Sequence, residues 1–113
     1  MDLIDVQRER GVAVIAPRIK RLDAQVAPAF KQAVVALVEA GDTRIVFDLQ
    51  QVEFVDSSGL GALVAVLKAI GGRGAMAVCN MHAAVATLFK LTRMDKVFAI
   101  VPGRADAIDR VAP

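Results

Sequence analysis

Two consecutive hydroxyls follow a carboxylate in Val55-Asp56-Ser57-Ser58, and Gly59-Leu60-Gly61 comes directly after them. Asp and Ser side chains accept hydrogen bonds from the free N–H groups of a helix's first turn, and Gly59 lets neighbouring backbone approach, so helix capping explains part of the pattern. One capping residue suffices for one helix. The other hydroxyl, with two glycines after it and no long polar side chain, is expected to stay exposed to the active site of another protein. A phosphate added there brings about −1.5 to −2 charges, which a helix N-terminus tolerates through its dipole and free amides. Inside a partner interface the same charge is costly, because a desolvated phosphate beside Asp56 loses water without gaining a counter-ion. The expectation is a turn where modification ends binding and spares the fold.

Other chemistries fit less well. A nucleophile elbow needs Gly two residues before its Ser, but Val55 and Asp56 hold those positions before Ser57 and Ser58. His82 is the one imidazole; it follows a different strand, in Asn80-Met81-His82, where capping or surface exposure accounts for it. Neither Gly59-Leu60-Gly61 nor Gly71-Gly72-Arg73-Gly74 continues into a dinucleotide or phosphate-loop fingerprint. Asp48 and Asp56 are expected near one strand end, read as ordinary loop carboxylates because no further ligand completes an oxygen-ligand metal site. No catalytic residue, metal or cofactor is therefore expected. Arg18, Lys20 and Arg21 form a short basic run on a loop expected to share a sheet end with the serine turn. Such a run is usually solvated; it is also suited to a partner's acidic surface or to the phosphoserine itself.

The elements that must position this turn are legible from periodicity. Val6-Gln7-Arg8-Glu9 and Val12-Ala13-Val14-Ile15 flank Arg10-Gly11 as an opening hairpin, with Pro17 closing the second strand. Apolar residues Val26, Phe30, Val34, Leu37 and Val38 repeat at helical spacing over 24–40, and Gly41 stands where a left-handed residue ends a helix. Arg44-Ile45-Val46-Phe47-Asp48-Leu49 has the continuous apolar character of a strand covered on both faces. A loop through 50–53 leads to a second helix, marked by Leu60, Leu63, Val64, Leu67 and Ile70 and ended by Gly71-Gly72. The spacing then predicts a strand over 75–79, a helix over 83–91, a strand over 97–101 and a short final helix over 104–111 with Ile108 and Val111 inward. Alternating strand and helix with right-handed crossovers gives an α/β fold: a mixed, mostly parallel sheet of about five strands, an antiparallel opening hairpin and about four helices.

A chain of 113 residues is enough for one domain, taken as 1–113. The apolar content is mainly Ala, Val, Leu and Ile, so an aliphatic core is expected, with all five Phe pointing into it. A net charge of +2 over 14 basic and 12 acidic residues, with no aromatic stacking platform, argues against nucleic acid. The longest apolar run, 60–67, stops at Lys68 and is far short of the roughly 20 residues a membrane span needs. Met1-Asp2-Leu3-Ile4-Asp5 has no basic segment leading into an apolar one, and Cys79 is the sole cysteine, read as an inert core thiol. A cytoplasmic protein that acts at no membrane is expected.

Taken together, Phe54-Val55-Asp56-Ser57-Ser58-Gly59-Leu60-Gly61, Leu22-Asp23 with Ala27-Pro28, Lys68 with Gly71-Gly72, and Leu88-Phe89-Lys90-Leu91-Thr92 before Val97-Phe98 carry a resemblance over nearly the whole chain. The chain resembles a single-domain STAS protein of the anti-sigma-factor antagonist type. The resemblance implies a non-enzymatic switch that, unmodified, binds an anti-sigma factor serine kinase and releases its client. It implies that Ser57 is the phosphorylation site, that Ser58 caps or positions the turn, and that a metal-dependent serine phosphatase restores the active form. By the same resemblance, Asp23, Asp56, Ser57, Ser58, Gly59, Leu60 and Gly61 form the partner-binding surface. The alternative within the family is an accessory subunit that clamps another protein, such as a lipid-transporter ATPase, without any phospho-switch. Four positions depart from the family pattern: Lys20-Arg21 replaces Gly and an acidic residue, Val26 replaces a small polar helix starter, and Arg93 replaces a Gly expected to end the third helix.

Overall fold

Arg10 and Gly11 both adopt positive φ, 55° and 76°, the backbone twist that suits a two-residue hairpin turn. They join β1 (Ile4–Glu9) to β2 (Val12–Pro17) in antiparallel register from Ile4 opposite Pro17 to Glu9 opposite Val12. The chain continues through β3 (Arg21–Leu22), α1 (Ala27–Glu39), β4 (Arg44–Asp48) and β5 (Phe54–Val55). It then runs through α2 (Ser57–Ile70), β6 (Ala75–Cys79), α3 (Ala83–Leu91), β7 (Ala99–Val101) and α4 (Arg104–Val111). The computed structural model describes residues 3–113, so Met1 and Asp2 of the stretch read for a leader lie outside it.

The main sheet has the order β1-β2-β4-β6-β7, and every pair after the hairpin is parallel. Strand alternation divides the core into two layers. Ala13, Ile15, Ile45, Phe47, Met76 and Val78 face one side, where Phe30 and Val34 of α1, Leu63 and Val66 of α2, and Val85 and Phe89 of α3 cover them. Val12, Val14, Val46, Ala77 and Cys79 face the other side, where α4 alone supplies Ala107, Ile108 and Val111. The expected α/β fold, with its five-stranded mixed sheet and four helices, is what the chain forms.

Several local features differ from the sequence reading. The strands β3 and β5 form a separate parallel pair, Arg21 opposite Phe54 and Leu22 opposite Val55. At two residues each, they are too short for periodicity to reveal. The aromatic pairs Phe30–Phe47 and Phe89–Phe98, with ring centroids 5.8 and 5.9 Å apart, are set in the core. Phe54, however, is 38% exposed, because the short β3–β5 pair leaves its outer face uncovered. The first helix begins at Ala27, not at residue 24, since the N–H groups of Val26 and Ala27 both bond to the Asp23 carbonyl in a preceding turn. The last strand begins at Ala99 because Val97 and Phe98 donate their N–H groups to the Met94 carbonyl after a 3-10 turn, Met94–Lys96. Arg93 itself takes the left-handed conformation, φ 62°, at the position where the family pattern has glycine.

Candidate functional site: the serine turn

Asp56 is the residue that joins the pieces of this site. It caps α2: Oδ1 accepts from the Gly59 N–H at 3.0 Å, and its carbonyl accepts from Leu60 N–H at 3.0 Å. Its second oxygen, Oδ2, accepts from the Ala24 N–H at 3.1 Å, on the loop after β3. In the other direction, Asp56 N–H donates to the Leu22 carbonyl at 3.3 Å. One carboxylate thus fastens two chain segments far apart in sequence. Both of its oxygens are occupied by backbone donors.

Gly59 is required here by proximity. A Cβ on it would lie 2.9 Å from Leu22 Cγ and from Val55 Cγ1, and would overlap the Leu22 carbonyl oxygen. Gly61, two residues on, has nothing within 4 Å of where a Cβ would stand. Gly59 and Leu60 are buried and support the turn from beneath. Ser57, the first residue of α2, is exposed; Ser58 is half-buried. Ser58 is not the cap, because the Asp56 carboxylate already takes that role. Instead Ser58 lines a concavity of about 440 Å³ between the starts of α1 and α2, together with Ala27, Pro28, Lys31 and Gly61.

Asp23 stands beside this turn. Its Oδ1 accepts from the Gln25 N–H at 3.1 Å, and its Oδ2 lies 3.5 Å from Arg21 Nε. The Arg21 guanidinium in turn sits 4.0 Å from the centroid of the exposed Phe54 ring. The Lys20 carbonyl accepts from the N–H groups of Glu53 and Phe54 at 2.8 and 3.1 Å, which brings the basic loop against the strand leading into the serines. Arg18 points elsewhere, 3.5 Å from Asp5. The stacked pair of Arg21 and Phe54 is hidden in the sequence, since β3 carries no periodic signal.

Asp48 is not a loop carboxylate but a buried one, 4% exposed at the end of β4. Burial pushes its pKa up, yet hydrogen bonds from Asn80, from Arg104 and from the Gln50 N–H together outweigh that and hold it below the usual carboxylate range. Arg104 Nη2 lies 2.9 Å from Asp48 Oδ2, and Nη1 donates to Gln7 Oε1 at 2.9 Å, so the start of α4 is fixed to β4 and β1. This carboxylate belongs to the fold and is not shared with Asp56. The Cys79 thiol, buried beneath α4 and close to Asp48, is pushed up to about 11 by burial first and by that carboxylate second. His82 is exposed and its Nε2 donates to the Gln50 carbonyl at 2.5 Å. Among the described residues no helix is long and apolar enough to cross a membrane.

Set against known proteins, the STAS domain family model matches residues 4–107, and the chain belongs to that family. The anti-sigma F factor antagonist of Paenibacillus polymyxa is 34% identical over 65 residues, a match spanning 57% of this chain and 56% of that protein's length. An anti-sigma factor antagonist from Mycobacterium paratuberculosis is 32% identical in its crystal structure, covers 97% of this chain and 93% of its own, and superposes with a TM-score of 0.88. An anti-sigma-factor antagonist (STAS) domain protein from Planctomyces limnophilus superposes with a TM-score of 0.84 at 25% identity, covering 93% of this chain and 94% of its own.

Proposed function

We propose that this chain is a phosphorylation-controlled anti-sigma-factor antagonist: unmodified, it binds an anti-sigma factor serine kinase and frees that kinase's client, and phosphate on Ser57 ends the complex. One observation carries this reading. Asp56 alone caps α2, through the Gly59 N–H, and ties it to the loop after β3, which leaves Ser57 exposed on a turn that does not need its hydroxyl. The antagonist names borne by the relatives from Paenibacillus polymyxa and Mycobacterium paratuberculosis support the choice of partner.

In this reading the chain supplies a hydroxyl and no ATP chemistry. The docking face comprises Ser57, Ser58 and Gly61 with the adjacent Asp23 loop, held in shape by Asp56, Gly59 and Leu60. A metal-dependent serine phosphatase resets the switch in the cytoplasm. Phosphate at the first position of α2 meets free N–H groups and the positive end of the helix dipole, so the fold is retained while the partner surface changes by about two charges. Incubation with the cognate kinase and ATP is expected to label Ser57 alone. Ser57→Ala is expected to stay bound to the kinase in the presence of ATP, and Ser57→Glu to bind at least tenfold more weakly. Label confined to other residues, or equal kinase affinity for Ser57→Glu and the native protein, refutes the proposal.

A further inference from the structure

We propose that Arg21 is the internal counter-charge of a phosphate on Ser57, leaving the Phe54 ring to pair with it; this rests on the phospho-switch reading and names how the same turn is regulated. Four hydrogen bonds make the segments around Lys20–Ala24 and Glu53–Asp56 one unit: Lys20 carbonyl with the N–H groups of Glu53 and Phe54, Leu22 carbonyl with Asp56 N–H, and Ala24 N–H with Asp56 Oδ2. Within that unit Arg21 stands opposite Phe54, three residues before Ser57, which is about 10 Å at the usual strand rise. The guanidinium is not committed to the ring alone, since Nε also lies 3.5 Å from Asp23 Oδ2, two residues further along the chain.

Arg21 also has little to lose. It is 61% exposed, its contact with Asp23 is single and 3.5 Å long, and its other partner is an exposed ring. Exposed ion pairs and exposed cation–ring stacks are weak and exchange readily for a better anion. A phosphate offers that, because the planar guanidinium fork matches two of its oxygens at once. The charged groups around the turn are Lys20, Arg21 and Asp23 on the β3 side, Glu53 and Asp56 on the β5 side, and Lys31 on α1. Asp56 does not compete with the phosphate for the Arg21 fork, for both its oxygens are held by backbone N–H groups. Lys31 lies along the α1–α2 concavity on the Ser58 side. In this state the phosphate has its counter-ion within its own chain, and Phe54 loses the guanidinium stacked on its ring. The docking face therefore changes in charge and in shape together.

The test installs phosphoserine at position 57 during synthesis and follows its second ionisation by ³¹P NMR in the native chain, Arg21→Gln, Lys20→Gln and Lys31→Gln. Arg21→Gln is expected to raise that pKa by about 0.5 unit, roughly a threefold gain in proton affinity, whereas the two lysine variants leave it in place. Arg21→Lys, which keeps the charge and loses the fork, is expected to fall between. An unchanged pKa in Arg21→Gln, or a rise in Lys31→Gln instead, overturns the inference. Because no kinase is used, a kinase that ignored Ser57 would sink the phospho-switch reading and leave this result standing.

Discussion

Alanine placed at Gly59 and at Gly61 is expected to shift stability in opposite directions, although the two sites are two residues apart in one helix. Alanine is favoured over glycine in a helix interior by about 1 kcal/mol. At Gly61 nothing within 4 Å opposes the added methyl, so the full gain is expected, worth about 4 °C in Tm for a domain of this size. At Gly59 the methyl meets Leu22 Cγ and Val55 Cγ1 at 2.9 Å and overlaps the Leu22 carbonyl oxygen. Side chains can turn away, but that carbonyl is held by the Asp56 N–H and has no such freedom. Overpacking of this kind costs about 1–3 kcal/mol; with backbone involved we take about 3, which leaves a net loss of about 2 after the helix gain. Urea unfolding followed by far-UV circular dichroism is the suitable assay, because the chain has no Trp or Tyr to report by fluorescence. Midpoints that move the same way in both variants would refute the claim that close approach, and not helix propensity, selects Gly59.

The remaining expectations concern charge and access. Asp56→Ala removes both the cap and the tie to Ala24 and should cost about 1–2 kcal/mol in the same unfolding assay; a loss no larger than that of an exposed surface substitution contradicts the bracing role. The folded pKa of Asp48 is depressed, so its stabilising contribution is complete above the unfolded value of about 3.9 and is lost as pH falls through the lower folded value. Asp48→Asn should therefore flatten the dependence of stability on pH below about 4, as measured by urea midpoints, and an unaltered slope would mean that the carboxylate titrates alike folded and unfolded. Cys79, buried with its thiol pushed up to about 11, should resist iodoacetamide at pH 8 in the native protein and react once urea unfolds it; rapid native labelling seen by mass spectrometry would show that α4 does not keep the sheet covered.

How far the amino-acid sequence reveals each element follows from the length of its local signal. The helices α1, α2 and α3 repeat apolar residues over at least two turns, and β4 and β6 are largely apolar runs, so their positions are legible to within three residues, the start of α1 being the furthest off. The serine turn is legible for another reason: Asp, Ser and Gly have strong local preferences at a helix start. By contrast, β3 and β5 contain two residues each, and their pairing depends on the Lys20 carbonyl reaching Glu53 and Phe54 across more than thirty positions. No local pattern encodes that pairing, and so the outward position of Phe54 escapes a sequence reading with it. The burial of Asp48 escapes likewise, since its compensation comes from Asn80 and Arg104, distant residues whose types alone do not reveal a shared partner.

The double grip of Asp56 has a consequence for any enzyme that modifies its neighbour. Ser57 cannot be pulled out as an extended strand of substrate without releasing the start of α2 and the loop before α1 at the same moment. A catalyst must accept the residue as it stands, on an exposed and already helical surface. A short peptide carrying the same letters, Phe54 to Gly61, has no second segment to hold it in that shape and should make a poor substitute for the intact domain.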